Sequence, residues 1–252
     1  MDDVTLIAMH AAVFVASLLQ AATGIGFGVI AGPIILLAMN SGSAVQVTII
    51  LSLMIAVFLV PSIHGAVDKA LLKRFLVGSV AGLPIGIAVF MAISVDFLKL
   101  FAGLAVLFMA YSASRSVGRA VYDLADRGQR NRDIGIGVLS GAMSGSLAMP
   151  GPVVAARMSA LARPKDAVRA TVLMLFVYSY IAAFGFQWVL VGVAADTLWL
   201  AATLVPATLV GILLGRLSVA WISERVFRWL IITVLIATSL GLLVNAAISL
   251  AG

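Results

Sequence analysis

The chain has 252 residues, of which 63% are hydrophobic and 10% charged, and its mean hydropathy is +1.20. A water-soluble domain is roughly 45–50% apolar and needs a charged surface that this composition does not supply. The net charge of +6 does not point to nucleic acid, because five of the sixteen basic residues lie between Arg115 and Arg132 and the rest flank apolar runs, where positive charge orients a membrane protein.

The absence of cysteine excludes disulfides, thiolate nucleophiles and Cys-ligated metals. Asp2 and Asp3 stand where a secretory leader would be basic, so the first apolar run reads as membrane segment rather than signal peptide. Hydrophobic segments follow at 4–39, 44–63, 75–95, 97–114, 134–162, 170–195, 197–215 and 229–252. The fold class is therefore an all-α polytopic membrane protein.

The first segment is too long for one crossing. Its 36 residues would extend about 54 Å as a helix, against a hydrocarbon core of about 30 Å. It contains Thr23-Gly24-Ile25-Gly26-Phe27-Gly28 and then Gly32-Pro33, and segment 134–162 contains Ser144-Gly145-Ser146-Leu147-Ala148-Met149-Pro150-Gly151-Pro152. Closely spaced Gly and Pro break helices, so each segment is expected to be a hairpin of two shorter helices, giving about ten helices in all.

The connector 115–133 is the longest and divides the chain into two repeats, 1–114 and 134–252. Gly26, Gly32, Pro33 and Met39 recur as Gly145, Gly151, Pro152 and Met158 at a spacing of 119. Val45 and Thr48 recur as Val168 and Thr171 at 123, and Gly82, Gly86, Ser94 and Lys99 as Gly211, Gly215, Ser223 and Arg228 at 129. With both broken segments returning to the side they enter, and both termini outside, fifteen of the sixteen basic residues face the cytoplasm. Only Lys99 faces out. A model in which each broken segment crosses once divides the charges evenly, so the positive-inside rule favours hairpins. Each half then makes an odd number of crossings, and the two repeats have inverted topology, an arrangement that secondary transporters use to hold substrate at the midplane.

Pro33 and Pro152 suit the first position of a helix, where no N–H is required. Each break would thus present a half-helix N-terminus, a ready anion site. Gly24, Gly26, Gly28, Gly145 and Gly151 would let a ligand approach the backbone, while Gln20, Thr23, Ser144 and Ser146 would add hydrogen bonds. Arg157, one turn into the second half-helix, either assists the anion or snorkels to the cytoplasmic interface, as Arg169 and Arg216 are expected to do. Tyr178, Tyr180 and Gln187 are candidates to line a path, and Asn245 to bridge helices. All acidic residues are expected in connectors or at span ends, which argues against cation transport and a carboxylate proton relay.

Gly24-Ile25-Gly26-Phe27-Gly28 with Pro33, Gly151-Pro152-Val153-Val154, Arg163-Pro164-Lys165-Asp166-Ala167-Val168-Arg169-Ala170-Thr171, Gly211-Ile212-Leu213-Leu214-Gly215 and the run from Ser223 to Arg228 resemble the sulfite exporter TauE/SafE family of bacterial permeases. The resemblance covers nearly the whole chain and implies transport of sulfite, sulfoacetate or a related organosulfonate across the cytoplasmic (inner) membrane. The second break departs from the denser glycine run usual in the family. No cofactor, metal or nucleic-acid partner is expected, only a small anion and the lipid bilayer, with homo-oligomerisation left open. The chain lacks the intramembrane carboxylate pair, His cluster or Ser–His pair of a membrane-embedded enzyme. The alternatives are a passive anion channel and a permease for another small organic anion. An anion leaving a cell with a negative interior gains about 2.3 kcal/mol per charge per 100 mV, which favours export.

Overall fold

The computed structural model describes residues 3–24, 26–114, 127–218 and 224–251, and these form ten α-helices. They are α1 (Asp3–Thr23), α2 (Phe27–Met39), α3 (Ser43–Leu59), α4 (Lys69–Ala92), α5 (Val95–Ser114), α6 (Arg127–Leu147), α7 (Gly151–Ala160), α8 (Lys165–Phe186), α9 (Ala195–Ser218) and α10 (Glu224–Ala251). A π-helical turn, Gln187–Val191, continues α8. Residues 115–126 of the expected linker, and Ser223 of the repeat, lie outside the described residues.

Among the described residues, five stretches are long and apolar enough to cross a bilayer, Asp3–Thr23, Ser43–Ser62, Lys69–Ala92, Lys165–Val191 and Ala195–Leu217. By contrast α2 and α7, with 13 and 10 residues, are only about 20 and 15 Å long and cannot span by themselves. Their chain neighbours α1 and α6 are full length, so both long apolar segments are indeed broken into a long and a short helix.

The bend in the second segment is fixed by contacts across it. Ser140 Oγ donates to the Pro150 carbonyl at 2.7 Å, and Arg157 Nε lies 2.9 Å from Asp133 Oδ1. In a straight helix residues 24 apart would be about 36 Å distant. The short helix α7 therefore runs back along α6.

Helix α6 begins at Arg127, six residues before Asp133, so the polar stretch expected to be connector is partly helix. Asp133 is 0% exposed within it. It is tolerated there because Arg74 of α4 and Arg157 of α7 both reach it, at 2.9 Å each. A buried carboxylate held by two guanidiniums keeps its charge compensated.

Glycine spacing decides which helices pack most closely. Gly78, Gly82 and Gly86 press against the carbonyls of Ile134, Val138 and Ala142, while Gly137, Gly141 and Gly145 press in return against Phe75, Ser79 and Leu83. Each set repeats every four residues, so it lines one helix face, and without side chains the two backbones interlock. The contacts advance in the same direction, so α4 and α6 are parallel. Gly211 and Gly215 of α9 meet Phe14 and Leu18 of α1 in the same parallel manner.

Two further pairs run antiparallel. Lys99 and Gly103 of α5 meet Asn245 and Ser239 of α10, with Lys99 Nζ 2.7 Å from Asn245 Oδ1. Asn245 bridges helices as expected, and Lys99 is buried in that contact beside Asp96. Gln46 of α3 meets Gln187 at the end of α8.

Candidate functional site

The first break is made by two glycines. Gly24 has φ +84 and Gly26 φ +138, values that a residue with a Cβ rarely adopts. The Gly24 N–H bonds back to the Gln20 carbonyl at 2.6 Å, closing α1 with a left-handed cap. The Gln20 side chain then turns across the gap, its Oε1 accepting the Phe27 N–H at 2.8 Å as α2 begins. Its Nε2 is buried without a partner, and the whole residue is 1% exposed. Thr23 Oγ1 donates to Leu19 O at 2.8 Å.

Pro33 is not at a helix start. It lies inside α2, six residues after Phe27, because the glycine pair at 24 and 26 breaks the chain before the Gly32-Pro33 pair is reached. Pro152 does stand in the first turn of α7, as expected.

The second break uses other chemistry. Ala148 takes the left-handed conformation at φ 57. Its N–H bonds to Ser144 O at 3.2 Å and that of Met149 to Met143 O at 3.1 Å. Pro150 and Pro152 then prevent α6 from continuing. Ser144 is 0% exposed and its Oγ has no partner, whereas Ser146 Oγ donates to Ala142 O at 2.8 Å.

The two breaks adjoin. Gly28, in the first turn of α2, packs directly on the Ala148 carbonyl, and one turn later Gly32 faces the Met149 side chain. Tyr180 of α8 donates to the same Ala148 oxygen at 2.9 Å. The N-terminal turns of α2 and α7, whose leading N–H groups have no acceptor within their own helices, thus open onto one buried region. Gln20, Gly24, Gly26 and Gly28 lie along the first break, and Ser144 stands one turn before Ala148 at the second, its carbonyl accepting the Ala148 N–H. Gly145 instead belongs to the α4–α6 contact, and Gly151 packs on the Phe176 ring.

Two arginines exchange roles relative to expectation. Arg157 neither snorkels nor stands free at the break. It is 8% exposed and committed to Asp133 and to Gln129, whose Oε1 accepts from Nη2 at 2.6 Å. Arg169, expected to snorkel, instead lies across the first break. Its Nη2 donates to the Ala21 carbonyl at 2.5 Å, capping the C-terminal end of α1, and its stem covers Gly24 so closely that a Cβ there would overlap it. Its Nε is buried without a partner. Positive charge at a helix C-terminus is favourable, and here it also lies where an anion at the break would feel it. The pairing of Arg169 with Ala21 joins residues 148 positions apart in sequence, which no local pattern announces.

A second polar contact reaches α6 at Gly145, the neighbour of Ser144. Gln46 Nε2 donates to Gln187 Oε1 at 3.1 Å and to Gly192 O at 2.9 Å, and Gln187 Nε2 donates to Gly145 O at 3.2 Å. Of the other expected path residues, Tyr180 is buried at the break and Tyr178 is exposed on the outer surface of α8. Among the described residues, no group of three or more His, Asp or Glu side chains is placed to hold a metal ion.

The family model for the sulfite exporter TauE/SafE matches residues 9–242. No curated protein and no solved structure matches the chain. A match over nearly the whole length, on a fold of apolar helices with two adjoining breaks, places the chain in the TauE/SafE sulfite exporter family of multi-pass membrane transporters.

Proposed function

We propose that this protein carries a small sulfur oxyanion, sulfite or an organosulfonate such as sulfoacetate, outward across the cytoplasmic membrane, holding it between the N-terminal turns of α2 and α7. The observation that carries this reading is the pair of buried donors left without partners on either side of the adjoining breaks, Gln20 Nε2 and Ser144 Oγ. A buried polar group without a partner costs free energy, and one such group at each of two adjoining breaks would gain from an oxyanion that accepts from both. Arg169 supplies positive charge beside them. Half-helix dipoles add to it.

The proposal includes inverted repeats, 1–114 and 134–252, joined by a cytoplasmic linker, with both termini outside. Helix direction supports it. If α3 corresponds to α8 and α5 to α10, a twofold axis in the membrane plane requires the members of each pair to run in opposite directions, as their contacts do. An axis along the membrane normal would make them parallel. Exchange of halves also maps the α1–α9 contact onto α6–α4, and both are parallel glycine-mediated contacts.

Flux of labelled sulfite and sulfoacetate in proteoliposomes under an imposed potential tests the reading. Saturable efflux that follows the potential and is lost in Gln20→Ala or Ser144→Ala is expected. Flux that does not saturate would make the protein a channel, and absence of flux for every sulfur oxyanion would remove the substrate assignment.

A further inference from the structure

Gln46 forms the polar floor of a cavity of about 780 Å³, and its amide donates to Gln187, which lies behind it and does not line the cavity. This cavity opens on the face that carries the connectors at 40–42, 93–94 and 192–194, and its lining includes Ser41, Ser43 and Gln46 but no charged residue. Beneath the floor lies the second break, since Gln187 bonds to Gly145, the neighbour of Ser144. Both glutamines are buried, at 3% and 0% exposure. Gln187 opens the π-helical turn, which ends where Gly192, at φ +81, bonds back to the Gln187 carbonyl at 3.0 Å. Isolated π turns are frequent at functional sites, because a wider turn admits a side chain that an α-helix would direct elsewhere.

We propose that this cavity is the outer vestibule of the anion's path, and that the Gln46–Gln187 amide pair is the polar constriction through which a small oxyanion passes between the vestibule and the break at Ser144. The inference rests on the transport reading above and adds its outer opening and two donors to it. Both hydrogens of Gln46 Nε2 are occupied, one by Gln187 Oε1 and one by Gly192 O, and the Gln187 amide is held by Gly145. All of these acceptors are neutral. An oxyanion offers charged acceptors, which make hydrogen bonds roughly twice as strong. It therefore separates the amides by replacing a carbonyl as acceptor, without leaving a buried N–H unpaired. An uncharged solute has no such advantage, so the closed pair also discriminates.

The absence of cysteine makes a clean test. Single cysteines at Ser144 and, as a control at the vestibule rim, at Ser41 are exposed to a membrane-impermeant maleimide in intact cells. The Ser41→Cys site is expected to label in every background. With the amide pair intact, Ser144→Cys is expected to label slowly. Gln187→Ala or Gln46→Ala should raise its labelling about tenfold or more, the shift toward the open state that loss of the pair's hydrogen bonds implies. Adding sulfoacetate, which unlike sulfite does not itself add to the maleimide, should likewise speed labelling with the pair intact. Two substitutions from opposite sides separate loss of the constriction from local misfolding, because both retain the rim signal if the fold is kept. The proposal is overturned if Ser144→Cys labels equally fast with and without the pair, or stays unlabelled when either glutamine is removed while the rim still labels. A rim that labels only in inverted vesicles overturns the outer assignment and, separately, the orientation. Normal gating without sulfite transport would instead remove only the substrate reading.

Discussion

The carbonyl oxygen of Ala148 lies against the α-carbon of Gly28, so close that any side chain at position 28 would overlap it. This one contact joins the start of α2 to the bend between α6 and α7. Ala148 O cannot retreat freely, because it also accepts the Tyr180 hydroxyl at 2.9 Å. Gly28→Ala is therefore expected to force the two breaks apart. Overpacking of this kind costs about 1–3 kcal/mol, and sulfite flux should fall with it. Tyr180→Phe removes only the hydrogen bond and should cost about 1 kcal/mol. Thermal unfolding of the detergent-purified variants, with flux alongside, makes the comparison. A Gly28→Ala protein as stable and active as the parent would mean that the breaks do not adjoin.

Arg169 should matter through its charge and its shape together. Its Nη2 caps Ala21, and its Nε, buried without a partner, is a donor available to an anion. Hydrogen bonds to charged groups contribute about 1.5–3 kcal/mol, so Arg169→Gln should weaken sulfite binding by about tenfold or more. Arg169→Lys keeps the charge but not the planar fork, and should recover binding only in part. Calorimetric titration of the purified variants measures both. Unchanged affinity in Arg169→Gln would reduce the residue to a helix cap. Gly24→Ala is the complementary change, strained at φ +84 and blocked by the Arg169 stem, and should damage both fold and binding.

Much of this architecture is legible in the sequence because its causes are local. The break at Gly24 and Gly26 follows from residue type alone, and so does the bend before Pro152. The repeat spacing identified Gly82, Gly86, Gly211 and Gly215, all of which form close helix contacts. What escaped depends on partners far along the chain. Pro33 resembles Pro152 in sequence, yet the earlier glycine pair takes the break and leaves Pro33 inside α2. Arg157 and Arg169 both stand near span ends, and the sequence cannot tell them apart. Their difference is that α7 folds back onto Asp133, whereas α8 begins beside the end of α1. The Gln46–Gln187 contact joins residues 141 positions apart and has no sequence signal beyond two amides in apolar runs.

The Asp133 cluster makes a stability prediction distinct from transport. Asp133→Asn leaves Arg74 and Arg157 facing one another in a buried position without their carboxylate. Removing one partner of a buried ion pair costs about 3–5 kcal/mol. Removing a guanidinium as well should relieve part of this, so the Asp133→Asn/Arg157→Gln double variant should be less destabilised than the sum of its singles, with coupling of about 0.5–3 kcal/mol. Thermal unfolding of the four proteins closes the cycle. Strict additivity would show that Arg157 acts elsewhere, for instance on the transported anion.

The α4–α6 contact predicts opposite outcomes for helical glycines inside and outside it. A Cβ on Gly82 would penetrate the Val138 carbonyl, and the flanking Gly78 and Gly86 are confined in the same way, so this stretch of backbone has no room to yield. Gly82→Val should separate the two helices over several turns and prevent accumulation of folded protein. At Gly135 in α6 and Gly185 in α8, a Cβ would meet nothing within 4 Å. Alanine at either position should be neutral or stabilising, by up to about 1 kcal/mol, since glycine in a helix interior is less favourable than alanine. Fluorescence-detected gel filtration of tagged variants from membranes compares the three directly. Equal yield for Gly82→Val and Gly185→Ala would mean that the parallel helices are not held by backbone contact, and the correspondence between α4–α6 and α1–α9 would lose its basis.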